Sequence, residues 1–181
     1  GSINGRGVFD YITFNTSSAP ITAPSYSMWV NTQDRTLNLQ MGNNATNQLG
    51  QELYYPPVVN KTGGPLTDGT LVMVNPAAPS FGNRLNIVKA ITDGTYPADL
   101  IVGILTEDIP SNETGFATWF GYVRNIIKSQ IQPVGETWVE GDILYPHPSI
   151  PGALTKILPV APALKSTIAA VTTINGDNVT L

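Results

Sequence analysis

Cysteine is absent from the 181-residue chain. That excludes disulfides, thiolate metal sites and cysteine nucleophiles. Histidine occurs once, at His147, and no G-x-S-x-G elbow accompanies it, so a Ser-His-Asp arrangement has little to build on. Charge is scarce: Asp, Glu, Lys and Arg make up 12% of the residues, well under the usual quarter of a globular chain. The nine basic residues are scattered and no two are adjacent, with a net charge of −4. No basic patch is therefore available for a phosphate backbone, and no nucleic-acid partner is expected. No apolar run approaches the roughly 18 residues of a membrane span, and no polybasic or amphipathic membrane segment is visible. The opening "GSINGRG" lacks the apolar region of a signal peptide. Its Gly1-Ser2 start reads as an appended remnant, with the chain a fragment of a longer one.

What replaces charge is Asn, Thr, 17 glycines and 15 prolines. Gly and Pro arrive too often for an amphipathic helix of three turns. The one helical candidate, "RNIIKSQIQ" (124–132), carries three isoleucines and is stopped by Pro133, so it reads as extended chain. Strand signals are short and many. "GVFDYITFN" (7–15) is aromatic and β-branched. "YSMWVNTQDRTLNLQM" (26–41) reads as a hairpin turning at Asn31 to Arg35. "GNNATNQLGQ" (42–51) reads as a polar linker. From residue 51 the strands recur at intervals of about 10 residues: "GTLVMVN" (69–75), then a Pro-rich loop, "RLNIVKAIT" (84–92), "LIVGILTEDI" (100–109), "GFATWFGYVRNI" (115–126), "WVEGDILYP" (138–146), "GALTKIL", "STIAAVTTI" and a last strand after an Asn175-Gly176 turn. "LIVGIL" is apolar on both faces, as a strand buried on both sides would be. These patterns predict an all-β chain: a small β-barrel or sandwich domain at 51–181, preceded by an extended arm with a β-hairpin at 1–50.

Sites for chemistry are weak. Glu107-Asp108 is the densest acidic pair, but neighbours in a strand point to opposite faces and cannot easily flank one glycosidic bond. Both are expected to end the strand in solvent. Glu136 and Glu140 flank Trp138-Val139, a carboxylate-and-aromatic pairing that can hold a sugar. "NGDN" (175–178) lacks the 12-residue frame and terminal Glu of a calcium loop, and reads as a hairpin turn. The G-x-G of "NGRGV" is followed by a β-like run, so the dinucleotide fingerprint fails. Five N-x-S/T triplets, at Asn15, Asn44, Asn60, Asn112 and Asn178, arise by chance in an Asn- and Thr-rich chain. His147 sits in the stiff turn Pro146-His147-Pro148. No catalytic residue, metal ligand or cofactor site is assigned. Aromatics are the better clue: Tyr54, Tyr55, Trp119, Phe120, Tyr122, Trp138 and Tyr145 suit a core, a subunit interface or a sugar-binding face. Trp29, Trp119, Tyr122, Trp138, Tyr145 and His147 are the candidate surface or partner contacts.

Four segments then carry a resemblance: "QELYYPPVVNKTGGPLTDGTLVMVN", "VGILTEDIPSNETGFATWFGYVRNI", "EGDILYPHPSIPGALTKILPVAP" and "TIAAVTTIN". In this order and spacing they resemble a β-barrel module of tailed-bacteriophage structural proteins, found in tail-fibre, head-fibre and decoration-type chains. "YSMWVNTQDRTLNLQM" and the entry "QLGQELYY" resemble another phage-fibre element, so the likeness runs from about residue 26 onward. It implies a non-enzymatic virion component on the capsid or tail exterior, homotrimeric, in contact with other virion proteins and with a host-surface glycan as a further partner. The alternatives are a receptor- or glycan-binding tip and a glycan-cleaving tailspike fragment. An arm at 1–50 suits docking onto a neighbouring chain.

Overall fold

The structure is a computed structural model that describes residues 10–14, 23–32, 34–42, 45–54 and 57–181. The chain is nearly all-β, as its composition requires. An N-terminal sheet is built from β1 (Met28–Asn31), β2 (Thr36–Gln40) and β3 (Thr46–Gln48). The expected hairpin is there, with Met28 opposite Leu39 and Asn31 opposite Thr36. The stretch 42–51, expected to be a linker, instead contributes β3, which pairs with β2 from Asn38↔Gln48 to Gln40↔Thr46. Polar side chains make this strand possible. Thr46 Oγ1 donates to Gln40 Oε1 at 3.1 Å, and Gln40 Nε2 donates to the Ala45 carbonyl at 3.1 Å. Of the strand expected at 7–15, residues 10–14 are described and carry no ladder; the remainder lies outside the described residues.

The chain then enters an eight-stranded sheet. Its members are β4 (Leu53–Tyr54), β5 (Val58–Asn60), β6 (Leu71–Val74), β7 (Ser80–Phe81), β8 (Arg84–Lys89), β9 (Ile101–Leu105), β10 (Thr114–Gly115) and β11 (Ala117–Phe120). The order is β10-β5-β8-β6-β9-β11-β4, with β7 paired to β8. The supposed Pro-rich loop after β6 therefore holds a short hairpin, turning at Gly82. Only β5 and β8 run parallel. The central strands are buried on both faces; β6 alternates regularly, while a bulge at Val102 shifts the alternation in β9. Leu71, Met73 and Ile104 point into one core, while Val72, Val102 and Leu105 point into another. This is the double burial that "LIVGIL" predicts.

The second core (Val58, Leu66, Val72, Ile87, Val102, Leu105, Ile109 and Ala117) comes almost entirely from this sheet, which curls around it. The curl falls short of a barrel, and no sheet closes into one. β10 and β11 are parts of one extended segment parted by Phe116. There the N–H of Phe116 turns to the Glu107 carboxylate, at 2.8 Å to Oε1, instead of to a strand.

The first core is the filling of a sandwich. Against the large sheet pack two small ones. The first is built from β12 (Ile126–Ile127), β16 (Thr173–Asn175) and β17 (Asn178–Thr180); the second from β13 (Ile143–Pro146), β14 (Leu154–Thr155) and β15 (Ala169–Ala170). Ile126, Val179, Leu144, Leu154 and Trp138 meet Leu71, Met73 and Ile104 in this layer. The β16–β17 turn is formed by Gly176 and Asp177, one residue later than the Asn-Gly signal suggests. The segment 124–132, expected to be extended, is so at β12 but then bends into a single helical turn, α1 (Lys128–Ile131). Asp177 holds that turn: the backbone N–H of Ser129 donates to its Oδ1 at 3.0 Å and the hydroxyl of Ser129 to its Oδ2 at 2.6 Å. No local sequence signal announces a partner 48 residues away.

Candidate functional site: an aromatic ledge and groove

Strand β11 ends in Trp119-Phe120, and Gly121-Tyr122 follow directly after it. Alternation alone would send Trp119 and Phe120 to opposite faces, yet both are 64% exposed. A one-residue bulge explains this. Thr118 pairs with Tyr54 and Phe120 with Leu53, leaving Trp119 as the extra residue. Bulges re-aim side chains and mark functional edges. Gly103 makes room for this one. Its φ is +148°, and a Cβ there would lie 2.2 Å from the Thr118 carbonyl oxygen. Gly121, at φ +112°, likewise lies where a Cβ would meet the Gln51 carbonyl oxygen at 2.7 Å.

Beside the ledge runs a groove of about 730 Å³. Its floor is the 101–104 stretch of β9, one wall is 118–123, and the other is the segment from Thr167 to Thr172. Among the described residues that line it, none is Asp, Glu, Lys, Arg or His. Leu53, on the outermost strand β4, stands exposed next to Phe120.

The ledge is tied to the N-terminal sheet. Arg124 lies over the Tyr122 ring, with its guanidinium carbon 4.7 Å from the centroid. Its Nη1 donates to Glu52 Oε1, and its Nη2 donates to Gln48 Oε1 at 2.7 Å. Gln48 Nε2 donates to Asp34 Oδ2 at 2.7 Å, and the backbone N–H of Gln48 donates to Glu52 Oε2 at 2.8 Å. The Tyr54 hydroxyl donates to the Thr46 carbonyl at 2.5 Å. Burial first, and then the Glu52 charge, raises the pKa of that hydroxyl. The hairpin sheet is thus clamped to the sandwich by buried polar groups rather than by an apolar seam.

The sequence-derived candidates scatter. Trp119 and Tyr122 meet on the ledge. Trp29 is half-buried on β1, and Tyr145 is half-buried on β13 opposite Thr155. Trp138 is corrected: at 3% exposed it belongs to the first core and offers no contact surface. Its indole N–H donates to Glu136 Oε2 at 3.0 Å. The other oxygen of Glu136 accepts from the Thr155 hydroxyl, and the Lys156 N–H donates to Oε2 at 3.1 Å. The carboxylate that could have faced a sugar is instead a staple, and Glu140 similarly accepts from the Ile174 N–H at 3.1 Å. Tyr55 lies outside the described residues. Phe120 and Leu53 complete the ledge; the crowding of aromatics in "WFGY" is the signal for it, because three cannot share one face of a regular strand.

His147 is half-buried and does not face the groove. Its Nδ1 accepts from the backbone N–H groups of Ser149 (3.1 Å) and Ile150 (2.9 Å), while its own carbonyl accepts from the Thr92 hydroxyl at 2.9 Å. The imidazole caps its own turn. His147→Ala orphans two N–H groups and is expected to cost about 1 kcal/mol. Urea unfolding should show a lower midpoint with an unchanged slope.

The acidic pair also divides. Asp108 is exposed and accepts from the Asp68 N–H at 2.8 Å through Oδ1. Glu107, expected in solvent, is buried because its carboxylate completes the broken ladder at Phe116. Beside them the Asp68 carboxyl is pushed up to about 7. Burial is the main cause, opposed by a hydrogen bond from the Gly69 backbone and reinforced by the charges of Asp108 and Glu107. Between about pH 4 and about pH 7 the folded chain therefore holds a proton that the unfolded chain has released, so stability falls as pH rises through that window. Asp68→Asn should remove this slope, raising Tm over the parent at about pH 8 and not at about pH 4. Asp93, Asp142 and Asp177 have lowered carboxyl pKa values, through hydrogen bonds chiefly from Thr95, Val139 and Ser129 respectively. Their contribution is lost only as pH falls below the ordinary carboxylate range, outside that window.

Among the described residues, no three His, Cys, Asp or Glu side chains are grouped to hold a metal ion, and no helix is long and apolar enough to cross a membrane. Fold and site together define an all-β sandwich with a clamped hairpin sheet and an uncharged aromatic groove. No family model, curated protein or solved structure matches the chain.

Proposed function

We propose that this chain is a non-enzymatic structural subunit of a tailed-bacteriophage virion, of fibre or capsid-decoration type, which associates as a homotrimer. The observation that carries the reading is the uncovered ledge of Leu53, Trp119, Phe120 and Tyr122 beside an uncharged groove. Contiguous apolar surface of this kind marks a protein contact. The residues that could have carried chemistry support it from the other side. Glu107, Glu136, Glu140 and His147 each accept hydrogen bonds that hold the fold. The order of the four quoted segments supplies the virion context.

A second reading, recognition of a host-surface glycan, is favoured by the exposed Trp119 and Tyr122, since aromatic faces stack on sugars. Gln51, Thr118, Tyr122, Thr167 and Thr172 in the lining supply neutral polar groups, but no carboxylate lines the groove to fix a sugar's orientation. The test of the virion reading is immunogold labelling with antibodies raised against the chain. Phage particles whose genome encodes it should carry label on their exterior. Purified particles free of both label and chain would contradict the proposal.

A further inference from the structure

The groove is uncovered, and so is a segment of the same chain that suits it. Tyr11 is 82% exposed and Ile12 is 64% exposed. Residues 10–14, "DYITF", are strand-formers by composition, yet they join no ladder. None of them lines the groove. An apolar strand-former without a sheet and an aromatic groove without an occupant are thus carried by one chain, and the two do not meet within it.

Resting on the homotrimer reading, we infer that Asp10–Phe14 of one copy occupies the aromatic groove of the next copy, against Trp119, Phe120 and Tyr122. Reach permits it. The chain between Phe14 and Tyr26, whose N–H donates to the Gln40 carbonyl at 2.7 Å, can when extended span up to roughly 40 Å at about 3.3 Å per residue. Electrostatics permit it as well. The groove lining carries no charged side chain, and the segment has a single charge, Asp10, at its end. A peptide whose only charge lies at one end can be desolvated there without stranding a charge, and the neutral polar groups of Gln51, Thr118 and Thr167 in the lining suit its Tyr and Thr hydroxyls, whereas a multiply charged ligand would go unpaired. The contact joins two different surfaces, so it is heterologous, and a rotation that closes after three copies yields a ring. Placing Tyr11 and Ile12 on the ledge removes from water both these side chains and those of Trp119 and Phe120, each more than half exposed in a single copy.

The absence of cysteine makes the test direct. Thr13→Cys and Gln51→Cys, both at exposed positions, flank the proposed contact without removing its apolar side chains. The two 181-residue variants are mixed, allowed to exchange, and treated with a short bismaleimide. The inference expects a covalent product of twice 19.3 kDa in the mixture, linked from residue 13 to residue 51. Adding Phe120→Ser to the Gln51→Cys chain should cut its yield about tenfold or more. A trimeric mass by light scattering without any 13-to-51 product would overturn the inference and leave the homotrimer standing. A 13-to-51 link formed within one chain, in the double variant diluted into unlabelled parent, would also overturn it, because the segment would then serve its own groove. A monomeric mass at every concentration would remove the inference together with the homotrimer.

Discussion

Arg124→Ala is expected to destabilise the chain by about 3 kcal/mol and to release the N-terminal sheet from the sandwich. The Glu52 side chain is fully buried, while Arg124 is about a third exposed. Removing the cation leaves the Glu52 carboxylate with the Gln48 N–H but without its positive partner. That asymmetry, rather than the attraction of the pair, sets the size of the loss. The exposure of Arg124 places the expected cost at the low end of the range for broken buried pairs. Gln48 Oε1 loses its donor at the same time. Arg124→Lys should recover little, because one ammonium cannot reproduce the fork that reaches both Glu52 and Gln48. Adding Glu52→Gln to Arg124→Ala should recover about half, since it deletes the orphaned charge. Urea unfolding of the four chains measures this. A loss below about 0.5 kcal/mol for Arg124→Ala would show that the clamp is not what seats the hairpin sheet.

Gly103→Val should be more damaging to the ledge itself. The φ of +148° is costly for any L-residue, and the added carbon would lie 2.2 Å from a backbone oxygen of Thr118 that cannot rotate away. The two penalties together are about 3 kcal/mol or more. They fall on the β9–β11 ladder at the bulge, so Trp119 should move and its emission should change. Gly63→Ala provides the comparison. Gly63 has φ +86° but nothing within 4 Å of the added carbon, so only the backbone penalty of about 1 kcal/mol applies. Equal losses in the two variants would mean that the close approach to Thr118 does not shape the ledge.

Much of the architecture was legible in local pattern. The hairpin at 28–40 follows from its turn residues, and the double burial of "LIVGIL" follows from unbroken apolar sequence. What escaped was set by distant partners. β3 lies in an Asn- and Gln-rich stretch that reads as linker, because the strand is held by Gln40, Glu52 and Arg124 rather than by apolar alternation. The helical turn at 128–131 depends on Asp177. The break between β10 and β11 is likewise met by a distant side chain, the Glu107 carboxylate that accepts the Phe116 N–H.

The candidate site divides the same way. Trp119 and Trp138 are each preceded by Thr and followed by an apolar residue, and pattern cannot rank them. Trp138 is buried because Glu136 is in place to accept its indole N–H. Trp119 is exposed because Gly103 permits a bulge. The reading of His147 as a loop residue needed only its two flanking prolines.

The central claim is that copies of this chain associate through the ledge into a homotrimer. Light scattering on the purified 181-residue chain across a range of concentrations tests it most directly. The account predicts a mass of three times 19.3 kDa that falls when Trp119 and Phe120 are both replaced by serine. A mass of 19.3 kDa at every concentration, unchanged by those substitutions, would contradict it.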